Sequence, residues 1–177
     1  MNMKKPILIP TAISSLRLIA LPIFLYLFNT ANISACLALM TFCAATDFFD
    51  GYAARTLNVI SKFGAYYDAA TDFALMFGAY TIFTFNGYYP TWLLLLIAAS
   101  FAQFLATSCI AKKFYDLVGK YIGSALYIGV ALTLLWPIEP VFLFVQYAFA
   151  GFFVVSLVSR IISLTRGNHP KDSKEKS

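Results

Sequence analysis

A chain of 177 residues that is 60% hydrophobic and only 12% charged is too apolar for an ordinary soluble domain and too short for two. Its net charge of +5 comes from lysines and arginines set between apolar runs. That placement speaks for membrane topology and anionic lipid headgroups, and against nucleic acid as a partner.

The apolar runs recur with short polar breaks and predict spans over 8–29, 33–53, 64–86, 90–110, 118–136 and 140–165. Each is close to the ~20 residues a helix needs to cross a bilayer, and irregular backbone cannot face lipid. The fold class read from this is all-α: a polytopic membrane protein of six transmembrane helices. Residues 1–166 form one membrane domain and 167–177 a polar cytoplasmic tail.

Lys4 and Lys5 precede the first span, and Arg17 lies about two turns into it. The break "NTANIS" follows, without Lys or Arg. "ISAC" at 33–36 has the look of a lipoprotein cleavage box, but Arg17 interrupts that signal and the chain stays apolar beyond Cys36. The second span runs into "TDFFDGYAART", and Arg55 and Lys62 flank the next connection. "NGYYP" again has no basic residue, whereas Lys112 and Lys113 lie between spans four and five. "PIEP" has none, and Arg166 and the tail lysines follow span six. Alternation of this kind puts both termini on the cytoplasmic side of the cytoplasmic membrane. Cys36, Cys43 and Cys109 lack metal-ligand spacing and read as buried structural thiols, and His169 reads as a solvated tail residue.

Carboxylates inside such spans are costly and point to function. Asp47, Asp50, Gly51, Ala54 and Arg55 share one stripe of a helix; Gly64, Asp68 and Asp72, spaced by four, share one stripe of the next. The short connection from 56 to 63 predicts antiparallel neighbours, with four carboxylates facing one another near the cytoplasmic surface. Such a group repels itself unless cations or shared protons compensate it. Oxygen-only ligands favour Mg²⁺ or Mn²⁺, and two ions about 3.5–4 Å apart suit displacement at phosphorus. Gly51 and Ala54 either let a flat group approach the backbone or let helices pack closely. Arg17, Lys120 and Arg160 share the aspartates' depth and suit a phosphate-bearing acceptor; Lys112, Lys113 and Arg166 read as snorkelling anchors.

The stretch "DFFDGYAARTLNVISKFGAYYDAATD" resembles the signature of the CDP-alcohol phosphotransferases: Asp-x-x-Asp-Gly-x-x-Ala-Arg, eight residues, then Gly-x-x-x-Asp-x-x-x-Asp. All eight fixed positions are present, and the six-span layout is similar as well. The resemblance implies transfer of a phosphatidyl-type group from a CDP-linked lipid to a second alcohol with release of CMP. It implies Asp47, Asp50 and Asp68 as ligands of two Mg²⁺ or Mn²⁺ ions, and Asp72 as the general base with a metal contact of its own. Gly51, Ala54, Arg55 and Ser61 fall at donor-binding positions. "PTAISSLR" stands where many members have Pro-Asn-x-x-Thr-x-x-Arg, so Thr11 and Ser14 take the places of two donor contacts and Arg17 is kept. A homodimer is a further implication.

The acceptor reading is a phosphorylated polyol of the glycerol phosphate or inositol phosphate type, held by Lys120, Arg160 and Arg17. The alternative is serine or another neutral small alcohol, because "DAATDF" lacks the Pro and Lys that glycerol-3-phosphate users often carry there. An ion or proton transporter is the reading from another class. It would place charges near the midplane on broken helices, whereas these cluster at one face.

Overall fold

The computed structural model describes residues 8–56, 62–111 and 119–167. Among these there are six helices and no strand: α1 (Leu8–Asn29), α2 (Ile33–Thr56), α3 (Lys62–Phe85), α4 (Thr91–Ala111), α5 (Gly119–Leu135) and α6 (Glu139–Gly167). The predicted spans correspond to these helices one for one. α2 runs beyond the predicted 53 because Ala53, Ala54 and Arg55 are strong helix formers. That extension puts Ala54 and Arg55 on the same helix as Asp47 and Asp50.

Tight turns at one end make consecutive helices antiparallel. After α1, Ala31 takes the left-handed conformation (φ 54°), and the Asn32 side chain caps α2 by accepting the Ala35 N–H at 3.2 Å. After α3, Gly87 sits at φ 78° and the Tyr88 N–H closes back on the Phe83 carbonyl at 2.9 Å. Only a residue without a side chain adopts that conformation at little cost. The break before α6 closes with the Trp136 N–H on Leu132 O at 2.9 Å.

α1 packs on α2 and α3, and α5 packs on α2 and α3. These four helices therefore form a closed ring, with α4 against α3 and α6, and α6 against α5 and α4. The expectation that α2 and α3 are direct neighbours is refined by this arrangement: among the described residues, α1 and α5 are the helices that touch both. Small residues permit the closeness. A Cβ on Gly78 would collide with Leu21 of α1, and one on Gly129 with the Tyr80 hydroxyl, so the Leu21 side chain seats on the backbone of α3 and the Tyr80 side chain on that of α5. The Tyr80 hydroxyl donates to Leu126 O across the second contact at 3.3 Å.

An aromatic cluster fills the turn-bearing end of the bundle. Phe28 and Phe83 meet edge to face at 5.3 Å, and Tyr88 stacks on Phe142 at 4.8 Å. The outer surface is apolar: Ile19, Leu95, Phe144, Tyr147 and Val155 are all exposed. Patches of this kind are not left to water. Among the described residues, Glu139–Ser159 is long and apolar enough to cross a bilayer, with mean hydropathy 2.2. Shorter apolar stretches occupy Ser15–Asn29, Ile33–Thr46, Thr91–Ala106 and Ile122–Leu135.

Candidate active site

At the end of the bundle opposite the aromatic cluster, the helical rise fixes a common depth. Arg17 on α1, Asp72 on α3 and Tyr127 on α5 each lie roughly 12–15 Å from the start of their helix, and Asp47 lies roughly 13 Å from the end of α2. Asp68 and Asp72 are one turn apart, so their carboxylates leave α3 on the same side.

Arg17 reaches across from α1 to both. Its Nη1 lies 2.5 Å from Asp68 Oδ1 and 3.0 Å from Asp72 Oδ1. The Arg17 side chain is 1% exposed, against 38% for Asp68 and 24% for Asp72. The cation is thus sealed inside the helix ring while the carboxylates keep an open side. A guanidinium at that depth is tolerable only with compensation, and two carboxylates supply it. Beside this contact the Ser15 and Tyr67 hydroxyls are hydrogen-bonded at 2.9 Å, which ties α1 to α3 a second time. From the other flank the Tyr127 hydroxyl donates to Asp72 Oδ1 at 3.3 Å. The Thr71 hydroxyl donates to Asp68 O at 2.8 Å, within α3.

The expected site residues are placed as follows. Arg17, Asp68 and Asp72 come together, and the Arg17 guanidinium, expected to meet an acceptor, is engaged with the two aspartates. Asp47, Asp50, Gly51, Ala54 and Arg55 lie on α2, Thr11 and Ser14 on α1, Lys120 at the start of α5, and Arg160 near the end of α6; their side chains lie outside the described set. Ser61 lies outside the described residues.

The convergence of Asp68 and Asp72 on a single cationic nitrogen shows that the two carboxylates can serve one positive centre together. Among the described residues no group of three or more His, Cys, Asp or Glu side chains gathers at one point; Asp68 and Asp72 supply carboxylate oxygens, the donor type that a hard divalent cation such as Mg²⁺ or Mn²⁺ takes.

A family model for CDP-alcohol phosphatidyltransferase matches residues 7–169, nearly the whole chain. The chain belongs to the CDP-alcohol phosphatidyltransferase family. It is a transferase of phospholipid biosynthesis. Among curated relatives, the CDP-diacylglycerol–glycerol-3-phosphate 3-phosphatidyltransferase of Escherichia coli K12 is 30% identical over 166 residues, covering 88% of this chain and 90% of the relative. The protein of the same name from Shigella sonnei has the same identity and coverage, and that of Shigella flexneri serotype 5b is 29% identical.

Sequence reasoning passed over Tyr127, a tyrosine in an apolar run. The available signal was spacing: Tyr127 follows Lys120 by two helical turns and so shares its face of α5.

Proposed function

We propose that this phosphatidyltransferase moves a phosphatidyl group from CDP-diacylglycerol to a phosphorylated polyol of the glycerol-3-phosphate type, with release of CMP. The observation that carries the reading is the Asp68–Arg17–Asp72 cluster, set in a chain that matches the family from residue 7 to residue 169. The acceptor class rests on the relatives named for glycerol-3-phosphate and on the cations Lys120 and Arg160, which lie at the acidic end of α5 and α6.

Asp47, Asp50, Asp68 and Asp72 would hold one or two divalent cations, which supply charge neutralisation for the pyrophosphate and the leaving CMP. The remaining work falls to the chain itself. Asp72 takes the proton from the acceptor hydroxyl as its oxygen attacks the lipid-side phosphorus. One P–O bond forms, the P–O bond to CMP breaks, and CMP leaves with the electron pair. Gly51, Ala54, Arg55, Ser61, Thr11 and Ser14 receive the CDP moiety, and Lys120 and Arg160 orient the acceptor phosphate.

The decisive assay uses purified protein with CDP-diacylglycerol and, in separate reactions, glycerol-3-phosphate, inositol phosphate and serine. CMP release and the product lipid are both read. Glycerol-3-phosphate should give phosphatidylglycerol phosphate, and EDTA should abolish it until Mg²⁺ or Mn²⁺ is restored. Product with serine alone would replace the acceptor assignment. Full turnover in EDTA, with no metal retained by the protein, would remove the cations from the reading.

The same proposal places six spans in the cytoplasmic membrane, with both termini and the acidic end in the cytoplasm. Asn86, exposed in the α3–α4 turn, then faces outward. A cysteine at position 86 should react with an impermeant maleimide on intact cells, and one at position 58 only after permeabilisation. The reverse pattern would invert the topology.

A further inference from the structure

Asp72 is met by two donors from two helices, and both meet the same oxygen. Arg17 Nη1 approaches Oδ1 at 3.0 Å from α1, and the Tyr127 hydroxyl approaches Oδ1 at 3.3 Å from α5. α1 and α5 are the two helices that pack on both acid-bearing helices, so the donors arrive from opposite sides of the ring. A carboxylate turns readily about its Cβ–Cγ bond, and a single donor does not prevent that. Two donors fixed to separate helices on one oxygen do, because rotation breaks both bonds. The ionised acid has room for this, since each oxygen accepts more than one hydrogen bond.

We infer that Tyr127 is a positioning residue: with Arg17 it clamps Oδ1 of Asp72 and so aims the carboxylate at the acceptor hydroxyl. This rests on the proposed role of Asp72 as the base. Arg17 also serves Asp68, so its removal disturbs more than one group. Tyr127 contributes a neutral donor, which makes it the separable arm of the clamp. Its ring packs beside the apolar core, and that contact survives replacement by phenylalanine.

The test is Tyr127→Phe in the parent protein and in Asp72→Asn, with kcat, both KM values, apparent Tm and Mn²⁺ binding measured for each. A hydrogen bond to an ionised group corresponds to roughly ten- to a hundredfold. At 3.3 Å the lower end applies, so kcat should fall about tenfold. Both KM values and Tm should stay as in the parent, and Mn²⁺ binding, shared with three other carboxylates, should fall by less than kcat does. In Asp72→Asn, the added Tyr127→Phe change should have no further effect, because a residue acting through Asp72 loses its route when the base is gone. Unchanged kcat in Tyr127→Phe overturns the inference. So does a loss of the same size in the Asp72→Asn background, or a fall in kcat that tracks a fall in Tm. Parental turnover in Asp72→Asn alone instead overturns the assignment of the base, which separates failure of that reading from failure of the clamp.

Discussion

Asp72→Asn should lower turnover by at least about 10²- to 10⁴-fold, the range that a positioned general base contributes. Asparagine keeps the shape of the side chain and can still accept from Tyr127 and Arg17 through its carbonyl oxygen. It cannot take a proton from an attacking hydroxyl at neutral pH. It also removes a negative charge from a cation-binding group, so the loss should reach or pass the upper end of that range. The measurement is CMP release at saturating CDP-diacylglycerol and acceptor, with Mn²⁺ varied to separate weakened cation binding from lost base function. If excess Mn²⁺ restores parental turnover, Asp72 acts only as a ligand. Asp72 is the less exposed of the two α3 carboxylates, and it meets groups from both α1 and α5.

The helices were legible because long apolar runs set between short breaks rich in turn-forming residues are read as helices, and those runs mark out α1 to α6. Asp68 and Asp72 were legible for a related reason: acids four residues apart in an apolar run share a helix face and seldom persist without a task. The role of Arg17 was not. Depth along α1 can be counted from sequence, but the side of the helix that meets a partner depends on how α1 packs. That packing is set by Gly78 admitting Leu21 and by α1 lying between α2 and α3. Arg17 was expected at an acceptor phosphate because both phosphate and carboxylate suit a guanidinium, and sequence does not rank the two. Tyr127 was missed because a tyrosine in a span reads first as apolar bulk. Its hydroxyl gains meaning only once α5 is seen beside α3.

Replacing Arg17 should have the second large effect, and the direction of its response to cations is the informative part. Arg17→Met keeps much of the side-chain volume but leaves Asp68 and Asp72 without their internal counter-charge. Breaking a fully buried pair costs about 3–5 kcal/mol. Both carboxylates keep an open side to solvent, so the lower figure for charge-assisted hydrogen bonds, about 1.5–3 kcal/mol, is the better guide. Apparent Tm without divalent cations should fall accordingly. Arg17→Lys should lose less, because it restores the charge; it lacks the fork that serves two carboxylates at once, so it should not reach parental stability. Added Mg²⁺ or Mn²⁺ should then raise the Tm of Arg17→Met by more than that of the parent. Two effects oppose each other here. Arg17 orients the carboxylates, which favours cation binding, and it repels the cation. Unit charges 4 Å apart interact by about 4 kcal/mol at an effective dielectric near 20, and a divalent ion doubles the charge. Orientation through the two carboxylate contacts of Arg17 contributes about 3–6 kcal/mol, still below the repulsion of a doubled charge, so repulsion outweighs it. Cation affinity should therefore rise in Arg17→Met even as turnover falls, because tighter cation binding does not re-aim Asp72. A thermal-stability titration with Mn²⁺, together with direct Mn²⁺ binding followed by electron paramagnetic resonance, reads both quantities without reference to activity. An equal cation-induced shift in parent and Arg17→Met would mean that Arg17 and the divalent ion do not share Asp68 and Asp72, and the acidic cluster would then hold its cations through α2 alone.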